Sequence, residues 1–376
     1  MLPEPNFPVR ADAFVGRRLQ IDIFRQALQQ GLQTGRTESF AVLGDWGIGK
    51  SSLLLRFAAL CSQPPFAMLP VFLSVVNDIR DYLRLAEVLL DKLADALLAV
   101  PNLQARLRGK LSDWRFRRIN FGSVGLEGES PRLFLSSGSS LLRHMLTEAR
   151  DHFLRPAGLK GAIFFLDDLQ NIISISKEDL ALMIRDQFQW FGIEGMNYSV
   201  CFSAKPDYFA GTKGLADPAV RFYTKFYLEP LTLEETLEYA RSVFGLPLDI
   251  SQKVAAWLHE KTLGHAYFLA CICEYLMATE KQIEPHKLET NWPAILDQLG
   301  REKFRSDVSQ LSAKELELIH QFARLGEGEV PAKHFSGKFQ REYFTRLVEK
   351  ALLIRTGRGR YKLYHPLFRE FLRQTQ

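Results

Sequence analysis

Two rhythms of apolar residues alternate along the first 230 residues. Short continuous runs read as strands buried on both faces: SFAVLG (39–44), FAMLPVFLSV (66–75), GAIFFLDD (161–168), YSVCFSA (198–204) and KFYLEPL (225–231). Between them, apolar positions three and four apart predict helices over 17–32, 50–61, 80–100, 138–154 and 178–190. Leu85, Val88, Leu89, Leu93 and Leu97 are among the apolar positions of the third helix. Pro70 weakens the second strand, because proline brings no N–H to a ladder. The opening LPEPNFP is extended, and RFRRINFGSVGLEGES (115–130), basic and then glycine-rich, fits a hairpin. Strands alternating with helices predict an α/β unit, a parallel sheet with helices on both faces.

Beyond Pro230 the pattern turns helical. TLEETLEYARSVFG opens on Thr232 with Glu235 three residues later, a capping box. Further helices are expected near 251–262, 266–280 and 287–300. Then SAKELELIHQFARLG (312–326), a short helix near 331–336 and QREYFTRLVEKALL (340–353) form a three-helix group. IRTGRGRYKLYH (354–365) follows as two short strands around a glycine-rich turn, so the end of the chain has the layout of a winged helix. The expected organisation is a sheet domain over 1–230, a helical domain over 231–305 and a winged-helix domain over 306–376.

Composition changes this picture little. Of 376 residues, 47% are apolar and 24% charged, the profile of a chain that buries a real core. No apolar run reaches the roughly 18 residues of a membrane span; the densest late one, AYFLACICEYLMA from Ala266, is interrupted by Glu274. The N-terminus has no basic start followed by an apolar stretch, so no signal peptide is expected. Cys61, Cys201, Cys271 and Cys273 form no C-x-x-C pair and have no histidine cluster at zinc spacing; three of them lie in apolar surroundings and read as small core residues, which suits a reducing cytoplasmic setting. Charge adds more. Residues 301–376 hold 16 Lys and Arg against 9 Asp and Glu, whereas the 300 before them hold 32 against 34. A basic end on a near-neutral body points to an anionic partner.

The chemistry is concentrated in VLGDWGIGKSS (42–52), which fits G-x-x-x-x-G-K-[ST] through Gly44, Gly49, Lys50 and Ser51. It sits between a predicted strand and a predicted helix, as a phosphate loop requires. Backbone N–H groups of Gly47 to Ser51, with Ile48 between them, then face phosphate oxygens at a helix N-terminus. Lys50 neutralises β- and γ-phosphate charge, and Ser51 holds Mg²⁺ through its hydroxyl. An ordinary glycine-rich turn with a solvated lysine is the bland alternative. Trp46 has no phosphate role and is expected to pack on a neighbouring element or subunit. In IFFLDD, Asp167 at the strand end is placed to hold Mg²⁺ through water, and Asp168 to orient the attacking water. Ser203, at the tip of YSVCFSAKP, is the choice for bridging water and γ-phosphate, with Lys205 in reserve; a satisfied strand-end serine is the alternative. Arg221 precedes the last strand and is the candidate arginine for a neighbour's nucleotide, in competition with Arg185 and Arg241.

With these residues in place, the chain resembles the AAA+ P-loop ATPases. Within them it is similar to the group joining signal-transducing ATPases with numerous domains (STAND) to the archaeal replication-initiator ATPases. FVGRRLQIDIF resembles the family's first motif, which implies adenine contacts from the backbone around Val15, Gly16 and Arg17. GDWGIGKSSLL resembles its nucleotide loop, which implies that Gly44, Asp45, Trp46, Gly47, Ile48, Gly49, Lys50, Ser51 and Ser52 surround ATP. FFLDDLQ resembles its magnesium strand, FYLEPLTLEET the start of its helical lid, and YKLYHPLFREFL the end of its winged helix. TLGHAYFLACICEYL resembles the lid segment usually written G-x-P, but neither His265 nor Ala266 is the proline. Asp168 also stands where a typical motor has Glu. Both departures favour a slow switch over a processive motor.

The resemblance implies an ATP- and Mg²⁺-dependent oligomeric ATPase, with no membrane role. In one reading it is a nucleic-acid-associated regulator or loader, whose Arg341, Arg346, Arg355, Arg358, Arg360 and Lys362 track the phosphates of double-stranded DNA. In the other it is a signalling scaffold that assembles on ATP and engages a protein partner without DNA. A small-molecule kinase fits the glycine loop but not the lid and winged helix.

Overall fold

Strand β1 (Ser39–Leu43) is buried along its whole length. Its side chains divide between two cores, Phe40 and Val42 in one, Ala41 and Leu43 in the other. That alternation builds the first of two compact units, Pro8–Glu229; the second comprises Pro230–Gln376 with the first seven residues. The computed structural model of the chain describes residues 3–76, 79–100, 109–111, 114, 138–209, 218–280, 282–326, 328–335 and 337–375. The hairpin expected over 115–130 lies outside the described residues.

In the first unit, β1 joins β2 (Met68–Ser74), β3 (Gly161–Asp167), β4 (Tyr198–Ala204) and β5 (Tyr223–Tyr227) in an all-parallel sheet of order β2-β3-β4-β1-β5. Helices α1 (Arg18–Thr34) and α2 (Lys50–Ser62) supply one core, where Phe24 stacks on Phe57 at 4.1 Å and Phe40 on Phe226 at 5.5 Å. Helices α3 (Tyr82–Leu98), α4 (Gly138–Ala149) and α5 (Lys177–Ile193) supply the other, with Leu85, Leu89, Leu142, Leu146, Phe164 and Leu166 among its members. Each such side chain contributes roughly 1.5–3 kcal/mol by leaving water. Pro70 lies on an edge strand, β2, whose neighbour is β3, the place in a sheet where a residue without an N–H is tolerated. The last strand runs 223–227 instead of 225–231. A short helical turn, Pro218–Phe222, leads into it, and Pro230 ends its neighbourhood.

The second unit contains helices α6 (Leu233–Phe244), α7 (Leu248–Thr262), α8 (Ala266–Thr279), α9 (Leu288–Leu299), α10 (Ala313–Arg324), α11 (Arg341–Glu349) and α12 (Pro366–Gln374). The expected capping box closes α6 through Thr232 and Glu235, and Ser312 with Glu315 makes a second at α10. β6 (Val330–Pro331), β7 (Leu353–Gly357) and β8 (Arg360–Leu363) form an antiparallel sheet of order β6-β8-β7. Phe268, Phe304, Phe368 and Phe371 form one aromatic chain, with Phe304 at 5.7, 5.5 and 5.3 Å from the other three, and so tie α8 to α12. Gly264 (φ 75°) is required between α7 and α8, because a Cβ there would lie 2.0 Å from the Leu231 carbonyl oxygen. Next to this turn His365 is buried. Its Nε2 donates to the Thr262 carbonyl (2.9 Å), its Nδ1 accepts from the Leu367 amide (3.1 Å), and burial lowers its pKa to about 4. Among the described residues, no helix is long and apolar enough to cross a membrane.

Candidate functional site

The loop after β1 has the backbone that its glycines predict. Gly44 donates to the Ala204 carbonyl (3.1 Å), and a Cβ at Gly44 would meet Ile48 Cγ2 at 2.7 Å. Gly47 (φ 70°) and Gly49 (φ 98°) both lie in the left-handed region, and Gly49 is the N-cap of α2. The first intrahelical bond runs from Leu53 N to the Gly49 carbonyl. The amides of Lys50, Ser51 and Ser52 are therefore first-turn donors without an intrahelical acceptor. Asp45 and Trp46 are exposed at the loop tip, Ser51 is half-buried, and Ser52 is buried with its Oγ accepting from the Val9 amide (3.0 Å). Trp46 is 51% exposed.

Lys50 is buried, and its Nζ donates to the Asp45 carbonyl at 2.9 Å. Burial lowers its pKa; the charges of Asp168, Asp167 and Asp45 oppose that shift, and Lys205 reinforces it. The loop lysine and the strand-end aspartates thus share one electrostatic neighbourhood although they are more than 110 residues apart in sequence.

Ser203 has the bonding of the alternative reading, a satisfied strand-end serine. It is fully buried; its hydroxyl donates to Asp167 Oδ1 (2.5 Å) and accepts from the Asp168 amide (2.8 Å). By donating its hydrogen to Asp167 Oδ1, the Ser203 hydroxyl fixes the orientation of that carboxylate. Asp168 takes a left-handed backbone (φ 59°), a conformation that costs a non-glycine residue about 1–2 kcal/mol. Its Oδ1 accepts from Gln170 Nε2 (3.0 Å). Gln170, quoted in the FFLDDLQ run but given no role there, is the member of this cluster that sequence reasoning missed.

Residues 15–17 also depart from a purely backbone role. Val15 is half-buried, Gly16 has φ 73°, and Arg17 is buried in a left-handed conformation just ahead of α1. The Arg17 guanidinium donates to the Ile48 carbonyl in the loop (3.3 Å) and to the Glu229 carbonyl (2.6 Å). It links the phosphate loop to the last residue of its unit. Nothing in the run FVGRR separates a buried arginine from a solvated one, so this link was invisible in sequence.

Arg221 is exposed in the last turn of Pro218–Phe222, before edge strand β5. The C-terminal basic residues gather on the second unit. Arg341 opens α11, Arg355 lies on β7, Arg358 in the hairpin turn, and Arg360 and Lys362 on β8. Arg346 is paired with Glu342, and Arg360 with Glu329 at 3.6 Å. Arg355 Nε donates to the Gly357 carbonyl at 3.3 Å.

Residues 13–192 match the family model of the AAA ATPase domain. No curated protein matches the chain. Among solved structures, the Walker-type ATPase PABY2304 of Pyrococcus abyssi is similar at a TM-score of 0.55 and 15% identity, over 99% of this chain and 100% of that one. The ORC2 protein of Aeropyrum pernix, solved in ADPNP–ADP complexes, is similar at a TM-score of 0.57 and 12% identity, over 100% of this chain and 95% of that one. At such identities the likeness is one of fold.

Proposed function

We propose, from the premise that residues 13–192 are an AAA+ P-loop ATPase domain, that the protein is an ATP-gated switch that hydrolyses ATP slowly and acts on nucleic acid. The observation that carries the nucleotide part is the placement of Lys50, a buried cation beside left-handed Gly47 and Gly49 and within the field of Asp167 and Asp168. These residues fit a magnesium triphosphate. The amides from Gly47 to Ser51 donate to phosphate oxygens, Lys50 offsets β- and γ-charge, and Ser51 and Asp167 hold Mg²⁺. When bound, the triphosphate supplies the phosphoanhydride that is cleaved. Asp168 orients water and takes its proton, with Gln170 setting the carboxylate and Ser203 holding Asp167. Arg221, exposed at the sheet edge, is the arginine offered to a neighbouring copy. Val15, Gly16 and Arg17 border the adenine. Asp in place of the longer Glu, and the lid turn without its proline, support slow turnover.

For the nucleic-acid part, α10, α11 and the β7–β8 hairpin form the winged-helix module, and its Arg341, Arg346, Arg355, Arg358, Arg360 and Lys362 face phosphates. A second reading, a signalling scaffold without DNA, is favoured by the aromatic chain from Phe268 to Phe371. That chain ties α12, the helix after the hairpin, to the lid helix α8. A binding titration of duplex DNA over a range of salt, with ATP and with ADP, separates the two. Salt-dependent binding that differs between nucleotides supports the first; no binding in either state removes it.

A further inference from the structure

Between the start of α11 and the β7–β8 hairpin, the second unit contains a cavity of about 430 Å³. Arg341, Arg355 and Arg358 line its rim with Lys333, and Phe339, Phe344 and Tyr361 line it as well. Among the described residues, no carboxylate lines it. Arg346 and Arg360, on the same elements, are engaged by Glu342 and Glu329 and do not line it. Among the described residues, the arginines outside the cavity are thus ion-paired, whereas Arg355, which lines it, donates to the backbone carbonyl of Gly357. Phe344 and Tyr361 are almost wholly buried, with ring centroids 5.1 Å apart, so they make a fixed apolar floor; Phe339 is half-buried at the side.

Two features decide the kind of ligand. Three arginines and a lysine around one opening favour phosphate, the anion that guanidinium recognises with two donors. An apolar aromatic floor beneath them has no use for phosphate, which stays hydrated at the rim; it suits a flat apolar body carried on the same molecule. The two demands together describe a nucleotide. A fully paired duplex presents its phosphates outward and its bases stacked inside, and so reaches the rim but not the floor. We infer that this cavity receives a single unpaired nucleotide of a nucleic-acid strand, its base against Phe339 and its flanking phosphates on Arg341, Arg355 and Arg358. The inference rests on the nucleic-acid reading above and adds that unpaired residues are what the module prefers.

The test compares three fluorescent DNAs on the full chain by anisotropy: a thymidine single strand, a perfect duplex, and the same duplex with one extrahelical thymidine. The single strand and the bulged duplex should bind roughly 10-fold more tightly than the perfect duplex, the scale of one base stacked on an aromatic ring. Phe339→Ala should remove that preference while leaving perfect-duplex affinity within about twofold, since it removes stacking and no charge. Phe339 is not in the sealed core, and Phe339→Leu serves as a second variant that keeps the apolar volume without the aromatic face. Arg358→Ala should weaken all three DNAs. Equal affinity for all three, with binding still salt-dependent, overturns the cavity assignment and leaves the nucleic-acid reading standing. No salt-dependent binding to any of them overturns both. Displacement of the strand by polyglutamate as effective as by unlabelled DNA, or by thymidine monophosphate at equal nucleotide concentration, also overturns the strand assignment.

Discussion

The glycine loop concentrates its charge in one buried ammonium, Lys50, held by the Asp45 carbonyl among fixed backbone donors. The C-terminal hairpin distributes charge over exposed arginines on a turn, two strands and one helix. The physical consequences differ. A cation already desolvated in the fold interacts with a ligand at low effective dielectric and is little screened by salt. Exposed guanidiniums act through a field that falls off within about 8–10 Å at ordinary ionic strength. One arrangement is suited to selecting a single small anion, the other to following a long one.

The largest expected effect breaks the first arrangement at its chemistry. Asp168→Asn keeps size and the Gln170 contact but removes the base; ATP binding should persist while turnover falls by roughly 100- to 10,000-fold. Normal hydrolysis by this variant in a phosphate-release assay would remove Asp168 from the mechanism. Next is the cation itself. Lys50→Ala should weaken ATP binding at least about 100-fold by calorimetry, and the loss should be nearly the same at low and high salt. Retained affinity would show that the loop does not cradle phosphate.

A third test sharpens the contrast between buried and exposed basic groups. His365 is buried neutral, with a folded pKa of about 4 against an ordinary value of 6.5. The unfolded chain therefore binds the proton first. The stabilisation from the neutral ring is complete above pH 6.5 and is lost as pH falls toward 4, a decline of about 3 kcal/mol in the limit. His365→Asn, which keeps a capping group for α12, should be less stable at pH 7 but should lose less on acidification. Parallel melting curves for wild type and variant across that range would refute it. The smallest effect concerns the hairpin. An Arg358→Ala/Arg360→Ala double variant should lower the salt-dependence slope of DNA binding by about 2 and leave ATP affinity unchanged. An unchanged slope would take the wing out of the interface.

The sheet was legible because β1, β3 and β4 are short, mostly apolar runs without helical spacing, and the loop because its glycines follow a strand and start a helix. Thr232 and Glu235 marked the start of α6 by chemistry that acts over one turn. Pro70 was the ambiguous case: its tolerance depends on strand order, which periodicity does not carry. The candidate site was half legible. Lys50, Ser51, Asp167 and Asp168 stand in recognisable runs, whereas what Ser203, Gln170 and Arg17 touch depends on partners brought together by folding.

From the sequence alone came the elements, the phosphate loop and the acidic strand end, because these are set by contacts within a few residues, where spacing along the chain equals spacing in space. Only the tertiary structure decided that Ser203 donates to Asp167, that Arg17 joins Ile48 to Glu229 across more than 180 residues, and that three arginines and an aromatic floor line one cavity. A hydroxyl or a guanidinium has several possible partners at similar energy, and which it takes is determined by the packing of elements around it.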